Sequence, residues 1–328
     1  MAGLLNLDST SSAADYRFTH ERVREYVVTT LTQVRRRALH EAVMQLLTAG
    51  AGSRPESLPL IAQHALAAGH TELAVEMSTE AARNSARAGA PEEVLRLVGI
   101  AQPIASSPQE RVALLQLQDD ALGMLLRPSQ RLEGLAQLAA LAEALGDARL
   151  QMDVTLRRAA AQRLGQEYEG AAELARCVRL LAVNQGDKRA ELAACLEVGQ
   201  DILRSELGEG YIPAASEVDF AGASEAYSRA AALAEELGEN SKLAASTREL
   251  GIIAMGRVRA WFIEGIKAGD GISLMQRIAD GERLQDILPG LPIAPVVAEA
   301  DARFRTALDI YEKLGDRQGA MSTIISSK

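Results

Sequence analysis

Aromatic residues are scarce in this chain, making up 3% of its 328 residues with a single tryptophan among them. Valine and isoleucine runs of strand length are also scarce, whereas alanine and leucine are frequent. Small and γ-branched apolar side chains suit the close packing of helices better than a pleated sheet. We therefore expect an all-α protein with almost no sheet.

Long apolar runs and an excess of positive charge are also missing. No uncharged apolar stretch reaches the roughly 18 residues of a membrane span, and the N-terminus lacks the charge and apolar length of a signal peptide. The formal net charge is −9, so most of the surface would repel nucleic-acid phosphates. We expect a cytoplasmic protein with no membrane partner, for which nucleic acid is a disfavoured partner.

Cysteine is limited to Cys177 and Cys195, which lie on what the pattern indicates are consecutive helices. No secretory context suggests that they are oxidised. Two buried thiols that act as small apolar side chains are the favoured interpretation, and a disulfide is the weaker alternative.

A degenerate repeat runs along the chain. It consists of a small residue, a second residue four positions later, a small or apolar residue seven positions later, and a glycine fifteen positions later. The copies are Ala223, Tyr227, Ala230 and Gly238; Ala300, Phe304, Ala307 and Gly315; Ala171, Ala175, Val178 and Gly186; and Ala74, Ser78, Ala81 and Gly89. A fifth copy, with Leu135, Leu138 and Gly146, has Arg131 at the first position.

The spacing of the repeat has a physical reason. The first three positions share one helical face, where small residues let a neighbouring helix approach and an aromatic ring fills the remaining groove. The glycine supplies the left-handed conformation that ends the helix, and the acidic residue that usually follows can cap the next helix. The repeat therefore predicts an α-α superhelix, a tetratricopeptide-like solenoid, with a unit of about 40 residues including insertions.

The chain divides by composition into segments. The predicted helices cover 19–31, 33–48, 57–69, 71–88, 91–102, 108–126, 129–145, 147–165, 167–185, 187–205, 220–237, 240–267 and 296–314. The predicted domains are a remnant of winged-helix and linker helices at 1–50, degenerate repeats at 51–205, a loop at 206–219, and further repeats at 220–328, truncated at the C-terminus, with a loop insertion at 268–296. That insertion is either a binding loop or a flexible addition.

The N-terminal region carries the most specific local signal. It reads Tyr16-Arg17-Phe18-Thr19-His20-Glu21-Arg22-Val23-Arg24-Glu25, followed by Arg35-Arg36-Arg37-Ala38-Leu39-His40. This resembles the end of the winged-helix region in signal-transducing ATPases with numerous domains. In that group, which includes class III adenylate or guanylate cyclases, LuxR-type regulators and some kinases, a Phe-x-His-x-x-x-Arg-Glu helix and an Arg-Arg-x-x-Leu-His helix join the ATPase module to a tetratricopeptide-like array.

The resemblance covers residues 16–46 and extends more faintly to residue 90. It implies an array that restrains an ATPase core until a ligand binds. No segment of the chain matches the phosphate-binding loop of such ATPases or the nucleophile elbow of a hydrolase. The four histidines lack an accompanying cysteine or acidic cluster of zinc-site spacing, so packing or capping roles are favoured for them. We expect no catalytic residue, cofactor or metal in this chain.

Candidate partner-binding residues are His20, Arg24, Arg35, Arg36, Arg37 and Trp261. The alternatives are a solvated helix face for the arginines and a core position for Trp261. The favoured function is a non-catalytic protein–protein interaction scaffold, the regulatory or sensor arm of a signal-transducing ATPase. Its partner would be a protein, a peptide or the ATPase domain of the parent protein, and a homodimer is a further option. The alternatives are a fragment of an ATP-binding nucleotide cyclase or kinase with its catalytic domain upstream, and an arm of a transcriptional regulator.

Overall fold

The structure is a computed structural model that describes residues 5–8, 15–18, 20–51, 55–207, 220–268, 276–277, 279–281 and 287–327. The chain divides into two compact units, Met1–Arg127 and Pro128–Lys328. Helices build both units, and the all-α tetratricopeptide-like fold predicted from the sequence is confirmed. The predicted domain limits stay predictions.

The first unit contains six α-helices and one strand pair among its described residues. The elements are β1 (Leu5–Asp8), β2 (Asp15–Phe18), α1 (Glu21–Thr30), α2 (Gln33–Ala51), α3 (Leu58–Ala68), α4 (Thr71–Arg87), α5 (Pro91–Ala101) and α6 (Pro108–Met124). The strands pair antiparallel, with Leu5 opposite Phe18. Phe18 lies in β2, and α1 begins after His20. Only the later part of the N-terminal signature is therefore helical.

The second unit contains eight α-helices among its described residues. They are α7 (Pro128–Leu145), α8 (Ala148–Leu164), α9 (Tyr168–Gln185), α10 (Lys188–Leu207), α11 (Phe220–Leu237), α12 (Asn240–Ala268), α13 (Ala294–Leu314) and α14 (Arg317–Ser326). Each packs on the next, and α8 also contacts α10, as α12 contacts α14. Contacts between alternate helices are what stacked hairpins produce. The predicted helix limits agree with the observed ones to within three residues.

The turns follow the chemistry that the repeat predicted. Four glycines end the second helices of the hairpins with φ between 63° and 70°, a region that L side chains rarely adopt: Gly146, Gly186, Gly238 and Gly315. Asp147, Asp187 and Asp316 then accept a backbone N–H bond from the residue three positions later, at 3.0, 3.1 and 2.9 Å. The turns at Gly146, Gly186 and Gly315 therefore each end one helix and cap the next.

Glycines inside the first helices of the hairpins make room for aromatic rings. A Cβ added at Gly199 of α10 would lie 2.7 Å from the ring of Tyr227 on α11. One added at Gly251 of α12 would lie 2.9 Å from the ring of Phe304 on α13. Both rings occupy the second position of the repeat and are at least 95% buried, with exposures of 3% and 5%. The aromatic ring of the repeat thus packs directly against helix backbone.

The two cysteines differ in their surroundings. Cys195 is buried, and desolvation raises the pKa of its thiol to about 11. Cys177 is exposed, so the prediction of two buried thiols is wrong for this residue. Its neighbour Val178 takes the inward position of the repeat, and adjacent helical residues point about 100° apart. Both thiols are free.

Among the residues that the structure describes, no helix is both long enough and apolar enough to cross a membrane.

Replacing Gly199 by Ala is expected to lower the free energy of unfolding of the second unit by about 1–3 kcal/mol, because the new methyl group overlaps the Tyr227 ring. Urea unfolding followed by the fluorescence of Trp261, the single tryptophan, reports on this unit. Gly134→Ala in α7 is the matched control. A Cβ there meets nothing within 4 Å, so helix propensity predicts a gain of about 0.5–1 kcal/mol. Equal effects of the two substitutions would contradict the packing argument.

Candidate functional site

A polar recess of about 360 Å³ opens in the second unit. Three arginines from three different helices reach it, and we name it the arginine pocket after Arg131, Arg163 and Arg204. Its complete lining is Arg131 of α7; Ala160, Arg163 and Leu164 of α8; Gln166 and Tyr168 around the α8–α9 turn; and Gln200 and Arg204 of α10. The lining offers guanidinium, amide and phenol groups and contains no carboxylate.

An ion-pair network joins Arg163 of the pocket to two acids of α10. The Arg163 guanidinium donates hydrogen bonds to Glu197 at 2.5 Å and to Asp201 at 2.7 Å, both on α10. Arg163 and Glu197 have side chains 15% and 25% exposed, whereas the Asp201 side chain is completely buried. The second carboxylate oxygen of Asp201 has no hydrogen-bond partner among the described residues. Desolvation raises the pKa of Asp201 to about 6, although the Arg163 hydrogen bond and charge oppose the rise.

The turn after α8 places a non-glycine residue in the left-handed region, as the turn after α6 does with Leu126 at φ of 55°. Gln166 has φ of 66°, in the left-handed region that glycine occupies at the ends of α7, α9, α11 and α13. Its N–H donates to the Arg163 carbonyl at 3.0 Å, which closes the end of α8. A non-glycine residue in this conformation costs about 1–2 kcal/mol. The strained residue is also one of those that line the arginine pocket.

Comparison of α8, α10 and α12 shows that the ion pair is an exception among these three helices. Equivalent positions can be counted from the acidic residue that precedes each of α8, α10 and α12, namely Asp147, Asp187 and Glu239. At one position these helices carry Arg163, Leu203 and Met255, and at another they carry Ala161, Asp201 and Ile253. Arg163 and Asp201 therefore stand where the other copies have apolar side chains.

Gln200, Arg204 and Arg131 depart from the repeat in the same way. Gln200 corresponds to Ala160 and Ile252, and Arg204 corresponds to Leu164 and Gly256. Arg131 takes the first position of the repeat, where Ala171, Ala223 and Ala300 are at most 1% exposed. Arg131 is itself only 8% exposed. The structure thus brings together, at one recess, a set of polar residues that each replace a small or apolar residue.

Sequence reasoning identified only one member of this set. It noted Arg131 as a departure from the repeat, but it gave that residue no function. The signal that could have identified the others is alignment of the first helices of the hairpins on their acidic caps. Departures from a local sequence rule concentrate at functional sites. Such departures lower stability, so packing alone does not favour them.

The residues predicted from sequence to bind a partner lie elsewhere. His20 precedes α1, is exposed, and makes no side-chain capping bond. Arg35, Arg36 and Arg37 are exposed on the first turns of α2, and the side chain of Arg24 lies outside the described residues. Trp261, on α12 in the second unit, is partly exposed. None of them lines the arginine pocket, and a role in partner binding stays a prediction for each.

Three histidines connect α2 to the hairpin of α3 and α4. The Nδ1 atoms of His40 and His64 lie 2.8 Å apart, and the His70 ring contacts the Glu41 carboxylate. Desolvation, followed by the charge of His40, lowers the pKa of His64. The described residues contain no group of three or more His, Cys, Asp or Glu that could hold a metal ion. These contacts join neighbouring helices.

No protein-family model matches the sequence, and neither does any curated protein. Among solved structures, the chain is similar to a signal transduction ATPase with numerous domains that carries a tetratricopeptide repeat sensor, from Pyrococcus horikoshii. The identity is 13% and the TM-score 0.50, over 99% of this chain and 47% of that one. The chain thus spans about half the length of that protein. A Rap protein complexed with competence and sporulation factor matches at 12% identity and a TM-score of 0.45, over 93% and 78% of the two chains.

At these identities the likeness to the ATPase shows the fold alone, and the likeness to the Rap protein is too low to support an argument. A tetratricopeptide-like helical repeat region, as predicted from the sequence, is confirmed. The class of the parent protein stays a prediction.

Replacing Asp201 by Asn tests the burial of this carboxyl. Because its folded pKa is about 6 and its ordinary value 3.8, its contribution to stability is fully present below about pH 4 and is lost as the pH rises through 6. We expect the wild type to lose about 2–3 kcal/mol relative to Asp201→Asn between pH 4 and 7.5, measured by urea unfolding with Trp261 fluorescence.

Asp187→Asn is the control of opposite sign. The hydrogen bond from Arg149, followed by one from a backbone N–H, lowers the pKa of Asp187. The wild type should therefore gain stability relative to Asp187→Asn as the pH rises from 3 to 5. The same trend with pH in both variants would show that Asp201 is not a desolvated carboxyl.

Proposed function

We propose that the chain is a non-catalytic protein–protein interaction scaffold, the regulatory or sensor arm of a signal-transducing ATPase. Two independent lines support this proposal. The N-terminal signature at 16–46 resembles the segment that joins an ATPase module to a helical array, and the fold is that of a tetratricopeptide-like array. Stacked helical hairpins present side chains of successive repeats along a continuous surface, which suits binding of a peptide or protein segment.

The arginine pocket is the observation that carries the binding role. Burying the Arg163–Asp201 pair requires desolvation of two charges, and apolar residues of similar volume are often equally stabilising or better. The repeat itself supplies such residues at the equivalent positions, Leu203 and Ile253. Packing of the solenoid alone does not require the Arg163–Asp201 ion pair. Binding of a partner at the polar recess would account for it.

In this proposal the second unit recognises the partner. The N-terminal arginines and Trp261 remain candidates for contact with the ATPase core or another domain. The alternatives, an arm of a nucleotide cyclase or kinase or of a transcriptional regulator, concern segments beyond this chain. In each alternative the array has the same interaction role. The alternatives therefore differ from the proposed function in the attached effector domain and not in the arginine pocket.

Peptide-display selection on the full chain, followed by calorimetry with the selected synthetic peptides, tests the scaffold role. We expect peptides that bind with one-to-one stoichiometry. The double variant Arg163→Leu with Asp201→Ile, which installs the residues of the neighbouring repeats, should keep or raise the unfolding midpoint and weaken binding about tenfold or more.

Gly134→Ala, which changes no residue of the pocket, serves as the binding control and should match the wild type. Titration with ATP and magnesium should give no heat of binding. Failure to select any peptide, or a micromolar ATP site on this chain, would refute the scaffold assignment.

A further inference from the structure

We infer that the second unit holds a further ligand site, an apolar recess that takes a small, uncharged, largely hydrocarbon molecule. The recess lies against α12, α13 and the end of α14 and has a volume of about 600 Å³, within the range of ligand sites. Seven of its nine lining residues are apolar, so we name it the apolar pocket. It shares no residue with the arginine pocket and is independent of the proposed function.

An early start of α13 builds one wall of the apolar pocket. The helices α9 and α11 begin three positions before the first residues of their repeat copies, Ala171 and Ala223. The helix α13 begins six positions before the corresponding Ala300. Ala294 in this extra turn lines the pocket, and so does Ala298 one turn later. The wall therefore comes from a departure of this hairpin from the repeat.

A second wall is formed by the segment before α13 and is firmly anchored. Ile287 and Ile293 flank this segment with side chains 2% and 8% exposed. Between them, Leu288 and Pro289 line the pocket. The Leu291 N–H donates to the Leu288 carbonyl at 3.0 Å, which closes a 3-10 turn. Since the wall is preformed, a ligand loses little free energy in ordering it.

The packing of α12 on α13 leaves the pocket open where another hairpin is filled. Phe304 lines the pocket and is 5% exposed, in a small core cluster with Ala254 and Ala300. Met255 packs against this cluster and is only partly buried. The corresponding residue of α10, Leu203, is 6% exposed in a larger core cluster. An aromatic ring and a flexible thioether thus offer apolar contact to a ligand.

The polar groups of the pocket already have partners, which favours an uncharged ligand. Asp301 pairs with Arg305 at 2.6 Å, and the Ser327 hydroxyl donates to the Ile324 carbonyl at 2.9 Å. Among the described residues, no buried side-chain atom without a hydrogen-bond partner belongs to the lining. A charged ligand group would lose water there without gaining a partner. A hydrocarbon surface meets no such penalty, and release of water from apolar walls favours its binding.

The experiment uses the full chain and N-phenylnaphthylamine, an uncharged apolar dye that fluoresces more strongly away from water. Anilinonaphthalene sulfonate has the same rings and one negative charge. We expect the neutral dye to bind with one-to-one stoichiometry and about tenfold more tightly than the sulfonate. Trp261 lies six positions after Met255 (261 − 255) on α12, about 9 Å along the helix, so energy transfer from this single tryptophan places the bound dye.

Ala298→Phe tests where the dye binds. Ala298 is exposed, so a phenyl ring there occupies ligand space without entering the core. This variant should weaken binding of the neutral dye about tenfold or more and leave the midpoint of urea unfolding unchanged. Ala302→Phe is the matched control, because Ala302 is an exposed alanine of the same helix that lies outside the lining. It should bind the dye as the wild type does.

Ala294→Phe repeats the test from the extra turn of α13, in case Ala298→Phe lowers the unfolding midpoint. It should also weaken dye binding. The inference is overturned if the neutral dye does not bind, if the sulfonate binds more tightly, or if Ala302→Phe weakens binding as much as the pocket variants. The assay involves no peptide, so its outcome is separate from that of the proposed scaffold role.

Discussion

Close approach of helices through small residues is the constraint on which the second unit depends. At the inward positions of α10 and α12, Gly199 and Gly251 lack a side chain where Tyr227 and Phe304 place their rings. The equivalent residue of α8 is Ala159, and the second position of the repeat on α9 is Ala175 instead of an aromatic. Both alanines are fully buried. The larger ring on one helix therefore goes with the smaller residue on its partner.

That constraint explains why most of the fold could be predicted from the sequence. Helix ends depend on short-range chemistry: a left-handed glycine, such as Gly186, and an acidic cap, such as Asp187, stand next to each other in the chain. Inward faces depend on a spacing of three and four residues. Both are visible without any knowledge of tertiary contacts, which is why the predicted helices agree closely with the observed ones.

The misses arise where a residue's role depends on distant partners. Cys177 was interpreted from residue type, although its place beside an inward Val178 turns it to the surface. The pair of strands at the N-terminus depends on pairing between two four-residue segments, which composition does not reveal.

The arginine pocket was missed for the same reason, since its residues belong to α7, α8 and α10 and lie up to 73 positions apart between Arg131 and Arg204 (204 − 131). Only Arg131 departs from the repeat in a way that one copy of the repeat reveals by itself. The others become conspicuous when the copies are compared with each other, because the residues that correspond to Arg163 and Asp201 in neighbouring repeats are apolar, such as Leu203 and Ile253. Internal repeats thus provide, within one chain, the comparison that a set of related sequences would otherwise supply.

The position of the pocket also bears on how the proposed scaffold would respond to a partner. In a stacked array each hairpin interacts mainly with its neighbours, so stability is distributed along the chain as local interface terms. A ligand held by Arg131, Arg163 and Arg204 would bridge helices of successive hairpins and strengthen their mutual packing. Asp201 adds a buried charge to the same interface, whose cost falls when a proton or a paired cation neutralises it. Under the proposed function, ligand binding and array stability would be coupled at the interface of α8 with α10.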